Sequence, residues 1–334
     1  MIASSFPVLR LKPKANARAI RHGAPWVYDN ELVLDRRSKN LAPGTIAVLE
    51  DAERNPMGLV ATNPLSRITA RMIERDVSVA IDQAWFAAKI KRALELRERL
   101  FDHPFYRLIH AEADGLPGLV VDRFDSALVV QPNAAWLEVL IEPLATALAE
   151  VTGATTILKN AAGRTRVLEG LDDENGVLLG TAPNAPVMVP MNGAHYAADL
   201  TGGQKTGLFY DQRPNHAFAA RLSEGADVLD VFSHVGGFGL AALAGGAKSA
   251  LCVDGSAPAL ALAELGAKDA GFGDTMSTRK GDAFDVLEAL GKDGAQYDVV
   301  ICDPPAFAPG KAKLEVGLRA YERLAKMAAP LVKE

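Results

Sequence analysis

Cysteine is nearly missing from this 334-residue chain: there are two, Cys252 and Cys302. Each sits in an apolar run, and neither has the spacing of a zinc site or a redox pair. A chain of this length buries enough core to need no disulfide framework. So little cysteine fits a reducing cytoplasm. No apolar run reaches the ~18 residues of a membrane span, so no span is expected. The basic N-terminal stretch lacks the continuous apolar segment of a signal peptide. Acid is missing too, but locally. No Asp or Glu precedes Asp29, whereas Arg10, Lys12, Lys14, Arg18 and Arg21 all do, on a chain whose net charge is −5. A basic N-terminal module on an acidic protein is suited to a phosphate backbone, and these five side chains are the candidate RNA contacts.

What is present falls into three stretches. Residues 7–75 read as short strands, Val8–Leu11, Thr45–Leu49, Gly58–Thr62 and Arg67–Ile73. Pro43-Gly44, Asn55-Pro56 and Pro64 punctuate them. A small β-barrel is expected over residues 1–77. Asp82 then caps a helix from Gln83 to Phe101, whose apolar stripe is Phe86, Ile90, Leu94 and Leu100. Strands at Tyr106–Ala111, Leu119–Arg123 and Ala127–Gln131, a helix over Ala134–Thr152 and a strand at Thr156–Lys159 follow. They predict an α+β unit, of strand-strand-helix-strand-strand type, within residues 78–190.

From residue 191 strand and helix alternate: Val228–Phe232, Gly237–Ala244, Ala250–Asp254, Ala257–Ala270, Asp282–Leu290 and Asp298–Cys302. Val228–Phe232 and Asp298–Cys302 are apolar throughout apart from their acids, the mark of strands buried on both faces of a parallel sheet. A doubly wound, Rossmann-like α/β domain is expected over residues 191–334.

In such a sheet the ligand binds at the carboxyl ends of the strands. Asp230 lies late in one strand, before the turn Ser233-His234-Val235-Gly236-Gly237-Phe238, and Asp254 ends the next. Asp303 ends the last strand, in Asp303-Pro304-Pro305-Ala306-Phe307, and Asp282 opens a helix. Gly236 and Gly237 permit close backbone approach. Asp254 is spaced to accept both ribose hydroxyls of a nucleoside. Asp230 is suited to a cationic methionine tail, and Asp282 to a purine amino group. The turn is not Gly-x-Gly-x-x-Gly, which argues against a dinucleotide. Two prolines after Asp303 make a rigid shelf for a flat base, on which Phe307 could stack.

These residues look like class I methyltransferase motifs. The whole chain resembles the ribosomal RNA large subunit methyltransferase I family, which forms 5-methylcytosine. The likeness runs through Leu11-Lys12-Pro13, Gly23-Ala24-Pro25-Trp26-Val27-Tyr28, Ala113–Arg123, Gly203–Arg213, Asp230-Val231-Phe232-Ser233 with Gly236-Gly237-Phe238, and Asp303-Pro304-Pro305. The resemblance implies S-adenosylmethionine as cofactor, no metal, an RNA-binding PUA barrel, a ribosomal RNA or ribosomal-subunit substrate and a homodimer. It implies that Asp230, Asp254 and Asp282 hold the methionine tail, ribose and adenine. Phe209, Asp211 and Arg213 lie beside the cofactor, with Phe232, Ser233, Gly236, Gly237 and Ser256 completing the set. Asp303, Pro304 and Pro305 position the base.

One part of the pattern is missing. Methylation at C5 of cytosine needs a thiolate that adds to C6. The family carries it in a Ser-Cys-Ser type motif after a fifth strand, and this sequence ends at Glu334 before that strand. Cys302 alternates away from Asp303 and Cys252 lies mid-strand, so both are expected in the core. Ala306 stands where another cytosine methyltransferase group has a second cysteine. Two expectations follow: the sequence is shortened, or a partner segment covers the open strand edge. Methylation of an exocyclic amine (guanine N2 or adenine N6), which needs no cysteine, and an RNA-binding module with an inert methyltransferase half are the alternatives.

Overall fold

The computed structural model describes residues 6–202, 207–308 and 310–334. The Gly203–Thr206 part of the motif through Arg213 lies outside the described residues. Two units divide between Ala182 and Pro183.

The first unit begins with β1 (Val8–Arg10), α1 (Ala17–Arg21), β2 (Trp26–Val27), α2 (Arg36–Lys39), β3 (Ile46–Glu50), β4 (Pro56–Thr62) and β5 (Ala70–Glu74). The strands join in the order β1-β3-β4-β5-β2, parallel only between β1 and β3. Residues 67–69, expected in a strand, instead lie in a loop closed by the Asn63 N–H donating to the Thr69 carbonyl at 2.8 Å. Asp82 caps α3 (Gln83–Leu100) by accepting from the Trp85 N–H at 2.9 Å. Its buried face is Trp85, Phe86, Ile90, Ala93 and Leu94, while Leu100, expected in the stripe, is 63% exposed.

Next come β6 (Phe105–His110), β7 (Leu119–Phe124), β8 (Ala127–Pro132), α4 (Ala135–Val139), α5 (Ile141–Thr152), β9 (Thr156–Lys159), α6 (Arg164–Leu168) and β10 (Gly176–Leu179). The single helix expected over Ala134–Thr152 is two, broken at Leu140. Pro143 is the cause: its ring collides with the carbonyl of the residue four before it, which would be helical Val139. The sheet order is β10-β9-β8-β7-β6. Phe86 stacks on Trp136 at 5.7 Å in a core that also takes Leu59 and Ile73 from the first sheet. The buried arginines here have acidic partners. Arg166, 0% exposed, reaches Glu138 at 2.6 Å and Asp172 at 3.2 Å, and Arg71 reaches Glu169 at 2.6 Å.

The second unit starts with a hairpin that sequence reading passed over, β11 (Val187–Met191) and β12 (Ala194–Ala198). Its turn is Asn192-Gly193, with φ of 54° and 77°, the left-handed pair that a two-residue hairpin turn demands. There follow α7 (Arg213–Arg221), β13 (Asp227–Val231), α8 (Gly237–Ala244), β14 (Ser249–Asp254), α9 (Ala257–Asp269), β15 (Met276–Lys280), α10 (Ala283–Lys292), β16 (Val299–Cys302) and α11 (Leu314–Ala328). The sheet is wholly parallel, in the order β15-β14-β13-β16. The chain winds outward from β13 through β14 to β15, then crosses to β13's other side. The gap outside the carboxyl ends of β13 and β16 is therefore the switch point. β13 is buried as expected, but β16 is only half-buried along its length. Among the described strands it bonds to β13 alone, while Tyr297 just before it donates to the Leu331 carbonyl at 2.7 Å and accepts from the Lys333 N–H at 2.9 Å. No helix of the described residues is long and apolar enough to cross a membrane.

Candidate active site

The turn after β13 is held in uncommon backbone conformations. Phe232, His234 and Gly236 have φ of 66°, 51° and 78°. For Phe232 and His234 that costs on the order of 1–3 kcal/mol each, which the surrounding structure must hold. Gly237 opens α8 with no room for a side chain: a Cβ there would stand 2.7 Å from His216 Nε2. Beneath the turn Asp230 is 0% exposed. Its Oδ2 accepts from the Gly239 N–H at 2.9 Å, and its Oδ1 has no hydrogen-bond partner among the described residues. Burial, with Asp303 and Asp254 nearby, pushes its carboxyl up to about 7.

The turn forms one wall of a cleft of about 600 Å³. Of the expected site residues, Phe209, Asp211, Phe232, Ser233, Gly237, Asp254, Ser256, Asp303, Pro304 and Pro305 line it. Asp254 is held by two backbone donors, the His234 N–H to Oδ2 at 2.9 Å and the Ser256 N–H to Oδ1 at 2.8 Å. Asp303 Oδ2 accepts from Gln212 Nε2 at 3.0 Å. Partial burial and the neighbouring Asp211 raise the Asp303 carboxyl above its ordinary value. Sequence reading missed Gln212, His216 and His234, which also line the cleft. All three sit inside the singled-out runs or next to them, yet none carries a charge that draws notice. Burial lowers His216 to about 4, so it is neutral at neutral pH.

The structure places other expected residues elsewhere. Asp230 lies under the turn, and Gly236, Arg213 and Asp282 do not line the cleft. Arg213 is half-buried with its guanidinium 5.9 Å from the Tyr210 ring. Asp282 is a helix cap, accepting from the Phe284 N–H at 2.9 Å. Ser256 lines the cleft, but its hydroxyl caps α9 through the Ala259 N–H at 3.3 Å. Phe307 is no stacking platform. It packs 4.8 Å from Tyr321 and 6.0 Å from Phe284, because the apolar ground under α11 is the more favourable place for its ring. Cys252 is fully buried and Cys302 half-buried, with burial pushing Cys302 up to about 11. Neither lines the cleft.

Among the described lining residues are three carboxylates and two histidines, but no lysine or arginine. Such a set rejects a pyrophosphate and accepts a ligand with a positive charge and hydroxyl donors, which is the chemistry of S-adenosylmethionine.

Comparison with known proteins agrees. A model of a PUA-like domain matches residues 9–75, and a model described as S-adenosylmethionine-dependent methyltransferase matches residues 114–332. The chain is 37% identical over 337 residues to a ribosomal RNA large subunit methyltransferase of Deinococcus radiodurans, covering 97% of this chain and 82% of the relative. It is 36% identical over 310 residues to the ribosomal RNA large subunit methyltransferase I of Alteromonas mediterranea, covering 91% and 77%. The chain belongs to the ribosomal RNA large subunit methyltransferase I family. Its fold is also that of a solved structure described as a SAM-dependent methyltransferase from Streptococcus mutans. The TM-score is 0.80 at 18% identity, over 98% of this chain and 84% of the other. As a member of this family the protein is an S-adenosylmethionine-dependent methyltransferase.

Proposed function

We propose that the protein methylates a cytosine of large-subunit ribosomal RNA at C5, in the cleft outside β13 and β16. The observation that carries the assignment of the site is the carboxylate-lined cleft with Asp303-Pro304-Pro305 on its edge. The printed names of the relatives support ribosomal RNA as the substrate, and a cytoplasmic setting goes with that reading. S-adenosylmethionine supplies an electrophilic methyl group when bound. Asp254, fixed by its two backbone donors, receives the ribose hydroxyls. Asp211 and Asp303 favour the cation. Asp230 acts through the turn it supports, and Asp282, engaged with its own helix, is left out of the ligand set. The target base leaves its stack to enter. Asp303 accepts its amino hydrogen while Pro304 and Pro305 stiffen the backbone beneath it.

RNA is drawn to the PUA-like region, where Lys12, Lys14 and Arg18 are exposed. Arg10 is tied to Glu50 at 3.0 Å and Arg21 to Asp51, so those two offer less free charge than their number suggests. The homodimer implied by the resemblance is open to sedimentation analysis.

One observation favours a second reading. C5 chemistry needs a thiolate, and neither Cys252 nor Cys302 is placed or poised to supply it. Methylation of an exocyclic amine asks only for an acceptor such as Asp303. Labelled transfer to ribosomal RNA, digestion to nucleosides and chromatography separates 5-methylcytidine from N2-methylguanosine and N6-methyladenosine. Asp303→Asn is expected to lower kcat/KM for RNA roughly 100-fold while leaving cofactor affinity within about three-fold. Undiminished transfer by that variant, or none to RNA by the unaltered protein, refutes the assignment.

A further inference from the structure

We infer that Gln212 is a positioning residue, locked by Asn215, that holds the Asp303 carboxylate in place to receive the target base. The inference rests on the methyltransferase reading of the cleft and adds a part that reading does not contain. Gln212 lies in the turn before α7, and Asp303 follows β16, ninety-one residues later. Their side chains meet at 3.0 Å, with the Gln212 Nε2 donating to Asp303 Oδ2. The amide can point only one way. Asn215 Nδ2 donates to Gln212 Oε1 at 2.6 Å, so the oxygen of Gln212 is taken and its NH2 faces Asp303. The reversed amide would set NH2 against NH2 at one end and oxygen against carboxylate at the other.

The surroundings explain why a donor is needed. Asp211 from the same turn and Asp230 from β13 both act on Asp303 or are acted on by it. Asp254, His216 and His234 line the same cleft, with no lysine or arginine among the described lining residues. Like charges and partial burial both push Asp303 toward its protonated form, in which it could no longer accept freely. A lysine or arginine at position 212 would keep it ionised, but would also repel the sulfonium of the cofactor. A neutral amide does the first without the second. It takes up Oδ2, leaving the other carboxylate oxygen to meet the base.

The test uses the full chain with Gln212→Leu, Gln212→Glu and Asn215→Ala. The titration of Asp303 is followed by carboxyl carbon NMR, its signal assigned by disappearance in Asp303→Asn. Methyl transfer to ribosomal RNA is measured against pH. Gln212→Leu is expected to raise the Asp303 titration point, to move the acid limb of kcat to higher pH, and to lower kcat roughly ten-fold, the effect of one hydrogen bond to a charged group. Cofactor affinity by calorimetry is expected to stay within two-fold. Gln212→Glu is expected to shift both further in the same direction, and Asn215→Ala less far. An unmoved Asp303 titration in Gln212→Leu overturns the inference. So does a loss of activity that lies wholly in cofactor affinity. A shifted titration in a protein that transfers no methyl group to RNA upholds the positioning role and instead defeats the assignment of the RNA reaction.

Discussion

The two units handle charge in opposite ways. The first buries Arg71 together with Glu169, and gives the buried Arg166 and Asp122 partners of opposite charge in Glu138, Asp172 and Arg107 that lie nearer the surface. The cleft of the second gathers Asp211, Asp254 and Asp303 above a buried Asp230, with no cation among its described lining residues. Matched charges specify one packing and are costly to break singly. A pool of like charge is tolerated where a cationic ligand completes it, and its pKa perturbations mark the place.

The largest expected effect tests the matched side. Arg71→Met leaves the buried Glu169 without its cation and is expected to lower stability by about 3–5 kcal/mol, read as a drop in urea midpoint. An unchanged midpoint would remove the contrast. Asp230→Asn tests the other side. In the folded protein its carboxyl stands near 7, above the ordinary 3.8, so the folded state keeps a proton that the unfolded chain releases. Stability therefore falls as pH rises from about 4 to about 7. The asparagine is expected to be more stable than the parent by about 1–3 kcal/mol at pH 8, with the gain gone near pH 4. Denaturation at the two pH values decides it. Smallest is the charge on the PUA-like region: Lys14→Gln or Arg18→Gln is expected to lower the slope of log affinity for RNA against log salt by about 1 each if the side chain meets a phosphate. Unaltered slopes would place the RNA elsewhere.

Much of the second unit was legible because a parallel sheet imposes its own grammar: apolar strands such as Val228–Val231, then a glycine turn, then an acid at a strand's end. β15 escaped notice, since Met-Ser-Thr-Arg-Lys at the sheet's margin is half polar and lacks the apolar run of its neighbours. The β11–β12 hairpin could have been found from Asn192-Gly193, the strongest short-range hairpin signal. Asp282 and Phe307 lie away from the cleft lining for one reason. Sequence places a residue near a strand's end but does not say which way its side chain turns, and a free helix N-terminus and an apolar pocket each won over the cleft. Gln212 was invisible because its importance comes from a partner ninety-one positions away.

The crossing of the chain from one side of β13 to the other has a lasting consequence. The loop proposed to hold the cofactor and the loop proposed to face the base hang from different strands, on separate crossovers. Insertions or exchanges in the Asp303-Pro304-Pro305 loop can retune which nucleotide is modified while the nucleoside grip at Asp254 is inherited intact. A scaffold wired this way can drift from one target to another without first losing its methyl donor.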